Sequence, residues 1–172
     1  MTRIAAIALG FALTTSAYAQ HDMPAGMSHE EHIALMKQQA EMKQRGNAAM
    51  GFDQDKTIHH FLLTAKGGII QVETKDASDS ASRSQIRTHL KSISQQFAHG
   101  DFSAPVQTHN EMPPGAATMK RLAGAITYSL RELPNGAEVQ IRSDDANAIK
   151  AIHQFLQYQI KEHATGDPTT PK

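Results

Sequence analysis

Ten histidines and eight methionines are the borderline and soft metal donors of this 172-residue chain, and cysteine is absent. Without cysteine there is no thiolate site, no disulfide frame and no cysteine nucleophile. Imidazole and thioether must then carry any transition-metal chemistry. His21, Met23, Met27, His29 and His32 fall within a dozen residues, with Met36 one turn beyond His32. Thioether suits Cu(I), and imidazole serves either copper state, so this segment points to copper, with zinc as the second choice. On a helix, His32 and Met36 at i, i+4 share a face, as do His29 and His32 at i, i+3.

A second set lies farther on. His59 and His60 are adjacent in a strand-like run, so their rings must point to opposite faces. Phe61 and Leu63 lie on the His59 side, and Ile58 and Leu62 on the His60 side. His89 and His153 fall on the flanks of two later helical stripes, and His109 sits in a connection near Met112 and Met119. Two helices laid on one sheet face would bring His89, His109 and His153 toward one strand histidine, with Met119 nearby. Such a cluster would take Cu(II), Zn(II) or a haem-like group. Nucleophile and phosphate motifs are missing: there is no G-x-S-x-G, no H-E-x-x-H and no P-loop. "SHEEH" spaces its histidines three apart, which is not zincin spacing. No catalytic residue is therefore assigned.

The elements that must position these donors are legible. Met1 to Ala19 has Arg3, an apolar run from Ile4 to Leu13, and Ala17-Tyr18-Ala19 as a small-x-small cleavage box. That is a signal peptide, with the mature chain expected to begin at Gln20 in the periplasm. Residues 20–49 form a His/Met-containing segment, partly helical: Ser28 and Glu31 make a capping box ahead of a helix reaching about Arg45. Residues 50–167 form the domain, and 168–172 a disordered tail. Strands at Thr57 to Thr64 and Ile69 to Thr74 turn through Ala65 to Gly68, and a helix runs from Ser78 to Ala98. A loop connection then leads to strands at Ala125 to Glu132 and Ala137 to Arg142. A last helix starts at Asp144 or Asp145 and reaches about His163. Ile86, Leu90, Ile93 and Phe97 form the core stripe of the first long helix, and Ile149, Ile152, Leu156 and Ile160 that of the second.

"IRTHLKSISQQFAHGDF" (Ile86 to Phe102) matches "IHQFLQYQIKEHATGDP" (Ile152 to Pro168) in its apolar positions and its Gly-Asp stop. Both follow a hairpin that turns at glycine. The expected fold is α+β: a duplicated ββα unit giving a four-stranded antiparallel sheet, two long helices on one face, and an N-terminal helix in front.

The run Met50-Gly51-Phe52-Asp53-Gln54, with His59-His60-Phe61, Gly67-Gly68, Ile86-Arg87, His89-Leu90, Gly100-Asp101-Phe102, His109, Pro114-Gly115, Met119 and Ala151-Ile152-His153, resembles an uncharacterised family of small exported bacterial proteins. Members are often labelled aspartate carbamoyltransferase. The residues speak against that activity. The transferase needs an S-T-R-T-R phosphate loop and an H-P-x-Q turn. Here Ser84 and Arg87 fall inside a helix stripe with no free amides for a phosphate, and His-Pro does not occur.

Lys plus Arg equals Asp plus Glu at 17 each, so no basic field points to nucleic acid or to an anionic membrane once the leader is cleaved. The sequence thus points to a periplasmic, non-enzymatic protein for handling or tolerance of a transition metal, copper first. Its partners are the metal ion and either a second copy or another periplasmic protein. Two alternatives are a protein-interaction or small-ligand module with structural histidines, and an enzyme using histidine acid/base chemistry.

Overall fold

The computed structural model describes residues 26–171. The expected signal peptide, His21 and Met23 lie outside the described residues. Two compact units divide after Met36. In the first, the expected capping box forms: the Glu31 N–H donates to Ser28 Oγ at 3.2 Å, and the Ser28 N–H donates to Glu31 Oε2 at 2.8 Å. It opens helix α1, His29–Met50. That helix runs one turn past the expected stop near Arg45. Asn47, Ala48, Ala49 and Met50 continue it until Gly51, whose left-handed φ of 75° ends it.

The second unit holds β1 (Thr57–Thr64), β2 (Gly67–Thr74), α2 (Ser80–Ala98), α3 (Ser103–His109), α4 (Ala116–Arg121), β3 (Ile126–Leu133), β4 (Gly136–Ser143) and α5 (Ala146–Glu162). Aspartates start both long helices: Asp79 accepts from the Ser82 N–H at 2.9 Å, and Asp145 from those of Asn147 at 2.8 Å and Ala148 at 2.9 Å. The strands form one antiparallel sheet in the order β1-β2-β4-β3. α2 lies over β3 and β4, and α5 over β1 and β2, so each helix covers the other repeat's hairpin. Ile86, Leu90, Ile93 and Phe97 are all buried, as are Ile152, Leu156 and Ile160. They share one core with Phe61, Leu63, Ile70, Val72, Val139 and Ile141. The α+β fold with a duplicated ββα unit is the one expected.

The duplication extends to the hairpin turns. Gly67 and Gly136 occupy matching places, each against the neighbouring hairpin. A Cβ on Gly67 would stand 2.1 Å from the Ile141 carbonyl oxygen, and one on Gly136 would stand 2.0 Å from that of Val72. The turns also exchange matching bonds: the Ser143 N–H donates to Lys66 O, and the Thr74 N–H to Asn135 O, both at 2.9 Å. Gly136→Ala is expected to push β2 and β4 apart and cost about 1–3 kcal/mol, the usual range for overpacking. A lowered urea midpoint at unchanged slope would register it, and an unchanged midpoint would contradict it.

Two expectations need correction. The second strand begins at Gly67, so the first turn is only Ala65-Lys66. The connection expected as loop holds α3 and α4, each too short to show a helical period in sequence. His109 therefore ends a helix. Asn110 follows at φ 59° and Gly115 at φ 83°, where a Cβ would lie 2.1 Å from the Ala151 carbonyl oxygen. Near the C-terminus, Gln157 Nε2 donates to Thr169 O at 2.9 Å. Among the described residues no helix is long and apolar enough to cross a membrane.

Candidate functional site

The burial of their strand neighbours decides between the paired histidines. Phe61 and Leu63 are buried against the helices and Ile58 is exposed, so His59 takes the core face and His60 the other. Around His59 gather three further imidazoles from separate elements: His89 of α2, His109 at the end of α3, and His163 just past α5. All four line one cavity of about 60 Å³, together with Met50, Phe61, Leu90, Phe97, Phe155 and other apolar groups. The His59 and His163 rings stack with centroids 5.7 Å apart and planes 13° apart. His109 meets His163 edge-on at 5.2 Å, and Phe52 lies 5.9 Å from His59 and 5.6 Å from His89.

Burial keeps these rings uncharged. It pushes His59 down to about 4, helped by the neighbouring His89 and His60, and His89 to about 4 by burial alone. His163 falls to about 3 through burial and the fields of His59 and His109. Burial also lowers His109, against the raising effects of Gln159 and two nearby glutamates. An apolar wall disfavours imidazolium, and like charges at ring-contact distance disfavour it further. A neutral imidazole keeps a lone pair on one nitrogen, which is the form that ligates metal.

Two of those nitrogens face the interior with nothing to bond. His59 Nε2 and His109 Nδ1 are buried and without a hydrogen-bond partner, as is Gln159 Nε2. His109 Nε2 sits 3.0 Å from Gln159 Oε1. With Gln159 accepting there, His109 carries its proton on Nε2 and its lone pair on Nδ1. A buried polar atom left unpaired costs about 1–3 kcal/mol, so two such atoms beside one cavity call for an occupant. At about 60 Å³ the space suits an ion or a few waters. That is well below the roughly 300–1,000 Å³ that organic ligands occupy, so the space favours an ion over a haem-like group. Among the described residues, no three His, Cys, Asp or Glu side chains already converge as a metal-binding group.

The stacked pair has a second exposure. His59 and His163 also line an open groove of about 380 Å³, with His60, Met42, Thr57, Lys75 and Glu162 among its walls. The two rings thus stand between cavity and groove.

Of the expected donors, the fold brings together His59, His89 and His109. His60 lies in the groove instead, bonded to Asp167. His153 is occupied: its Nε2 lies 2.9 Å from Thr64 O, where it fastens α5 to the end of β1. Met119 is fully buried in the apolar core and is absent from the cavity wall. His29, His32 and Met36 lie along α1, with Met27 just ahead of it. His163, Gln159 and Met50 join the site without having been expected there. Arg87 is structural, since it donates to the Leu133 and Gly136 carbonyls at 2.6 and 3.1 Å and so clamps α2 on the second hairpin. Compared with protein families, curated proteins and solved structures, the chain matches none.

Proposed function

We propose that this protein binds one transition-metal ion, copper ahead of zinc, in the cavity bounded by His59, His89, His109 and His163, and serves metal handling or tolerance in the periplasm without catalysis. The observation that carries the reading is the pair of buried, unpartnered ring nitrogens, His59 Nε2 and His109 Nδ1, beside a space of ionic size. Ligand bonds of about 2.0–2.1 Å to two imidazoles in tetrahedral arrangement place ring centroids roughly 5 Å apart. The His163 ring stands 5.2 Å from that of His109 and 5.7 Å from that of His59. Ring rotation, rather than backbone movement, is then enough to turn nitrogens toward one ion. Met50 adds a thioether to the wall, which favours copper over zinc. Gln159 supports the site from behind, fixing the His109 tautomer as partners of metal-bound histidines do. Export rests on the leader read in residues 1–19, and the His/Met-rich segment after it would supply a second, looser place of capture.

Equilibrium dialysis tests the reading. The chain from Gln20 and a chain lacking residues 20–36 are each dialysed against Cu(I), Cu(II) and Zn(II). The shortened chain is expected to retain one copper ion, and the longer chain at least one. Retention of none of the three by the shortened chain would remove the cavity site and favour the competing view, in which the histidines are structural and hold water.

A further inference from the structure

His60 is oriented by a carboxylate outside the cavity. Its Nδ1 lies 2.9 Å from Asp167 Oδ1, while Asp167 Oδ2 accepts the Phe61 N–H at 2.9 Å and the Thr165 hydroxyl at 2.7 Å. Asp167 is thereby fixed from two sides, against the free edge of β1 and within its own turn. Burial works to raise its pKa, but the Phe61 N–H, the Thr165 hydroxyl and His60 outweigh this and hold the carboxyl below its ordinary value. In the neutral ring, with Nδ1 donating to the carboxylate, the lone pair of His60 lies on Nε2. The His60 side chain is 42% exposed and that of Asp167 only 8%. A carboxylate behind an imidazole fixes its tautomer and raises its basicity as a ligand. The groove that His60 faces also carries the Met42 thioether, and its inner wall is the stacked pair His59 and His163, which faces the cavity on the other side.

We infer that His60, oriented by Asp167, is the docking ligand that takes a copper ion from solution in the groove and hands it through the His59–His163 wall to the cavity, a role that rests on the metal reading above. The transfer is ligand exchange: a bond from the ion to His60 Nε2 is replaced by one to His59 or His163, with no change of oxidation state. Its consequence is kinetic. Loss of His60 slows loading and leaves the final occupancy as it was.

Tyrosine emission can follow the loading, because the chain has no tryptophan and the Tyr158 ring lies 5.0 Å from that of His109. Cu(II) reaching the cavity should quench it. The chain from Gln20 and its His60→Ala, Asp167→Asn and His60→Met forms are mixed with Cu(II) in a stopped-flow cell, after circular dichroism has shown equal folding. His60→Ala and Asp167→Asn are expected to slow the quench about tenfold, the lower end of effects seen for partners of metal ligands. Its final amplitude should be unchanged, and His60→Met should load as slowly as His60→Ala, because a thioether suits Cu(I) rather than Cu(II). Equal rates in all four chains would overturn the docking role. So would an amplitude that falls with the rate, which would make His60 an equilibrium ligand. No quench in the unsubstituted chain, together with no retained ion in dialysis, would defeat the metal reading itself and the relay with it.

Discussion

Replacing His163 by phenylalanine is expected to weaken copper binding at the cavity by at least about 100-fold, near 2.7 kcal/mol, while leaving the fold intact at neutral pH. Phenylalanine keeps an aromatic ring in the stack against His59 and beside Phe61, whose centroids lie 5.7 and 5.5 Å from that of His163. It removes both ring nitrogens and nothing else of size. His163 also stands in the wall between groove and cavity, since among the described residues it and His59 alone line both spaces. An alanine there would confound the result by opening a void beside Phe61; the phenylalanine form does not. Isothermal titration with copper in the chain lacking residues 20–36 reads the cavity alone. Unchanged affinity in His163→Phe would show that the ion does not use this ring. His89→Phe serves as a contrast, because His89 touches Phe52 and lies away from the groove. Its loss should weaken binding less.

The frame of this molecule is open to sequence reasoning, and its site only half so. Long helices with a repeating apolar stripe and strands broken at glycine declare themselves locally, so β1, α2 and α5 fall where expected. Four histidines from four distant segments meet only through tertiary packing, and strand alternation leaves the inner member of His59 and His60 undetermined. His163 escapes notice because it sits one residue beyond α5, where a polar residue passes for the end of a helix. The internal repeat holds the signal. Aligning Ile86 with Ile152 sets His163 opposite Phe97, and His89 opposite Phe155. Both phenylalanines are almost wholly buried. The same alignment sets Gln159 opposite Ile93. Three polar residues thus stand where the other repeat has core hydrophobes, all beside one cavity. At each of these positions one copy keeps a core hydrophobe and the other carries a polar residue, so the duplicated fold has been altered at one place, and that place is the candidate site. His153 misleads for the opposite reason: it aligns with Arg87, and both fasten a helix to strand or turn carbonyls.

Metal-free protein is expected to lose stability steeply between pH 6.5 and about 4. The sign follows from the rings. His59 and His89 titrate at about 4 in the folded chain and His163 at about 3, against about 6.5 when unfolded. Within that window the unfolded chain takes up protons that the folded chain refuses, so unfolding is favoured as pH falls. The stabilisation is fully present above pH 6.5 and is progressively withdrawn until the folded rings themselves protonate. Each ring contributes a slope of up to about 1.4 kcal/mol per pH unit. Parts of these rings remain open to solvent, which reduces the cost to about 1–3 kcal/mol per ring. Three rings together then remove on the order of 5 kcal/mol, comparable with the whole stability of many domains. Asp167 adds nothing in this window, because its folded value lies below the ordinary carboxylate value and its contribution is lost only at lower pH. Guanidinium midpoints read by circular dichroism at pH 7.5 and 4.5, in the presence of a chelator, give the comparison directly. Equal midpoints would mean that the rings are charged or solvated when folded, and the neutral donor set would be lost with them. His163→Phe should show the shallower pH slope of the two chains. Copper should oppose the acid loss in the unsubstituted chain alone, because an ion and a proton compete for the same lone pairs.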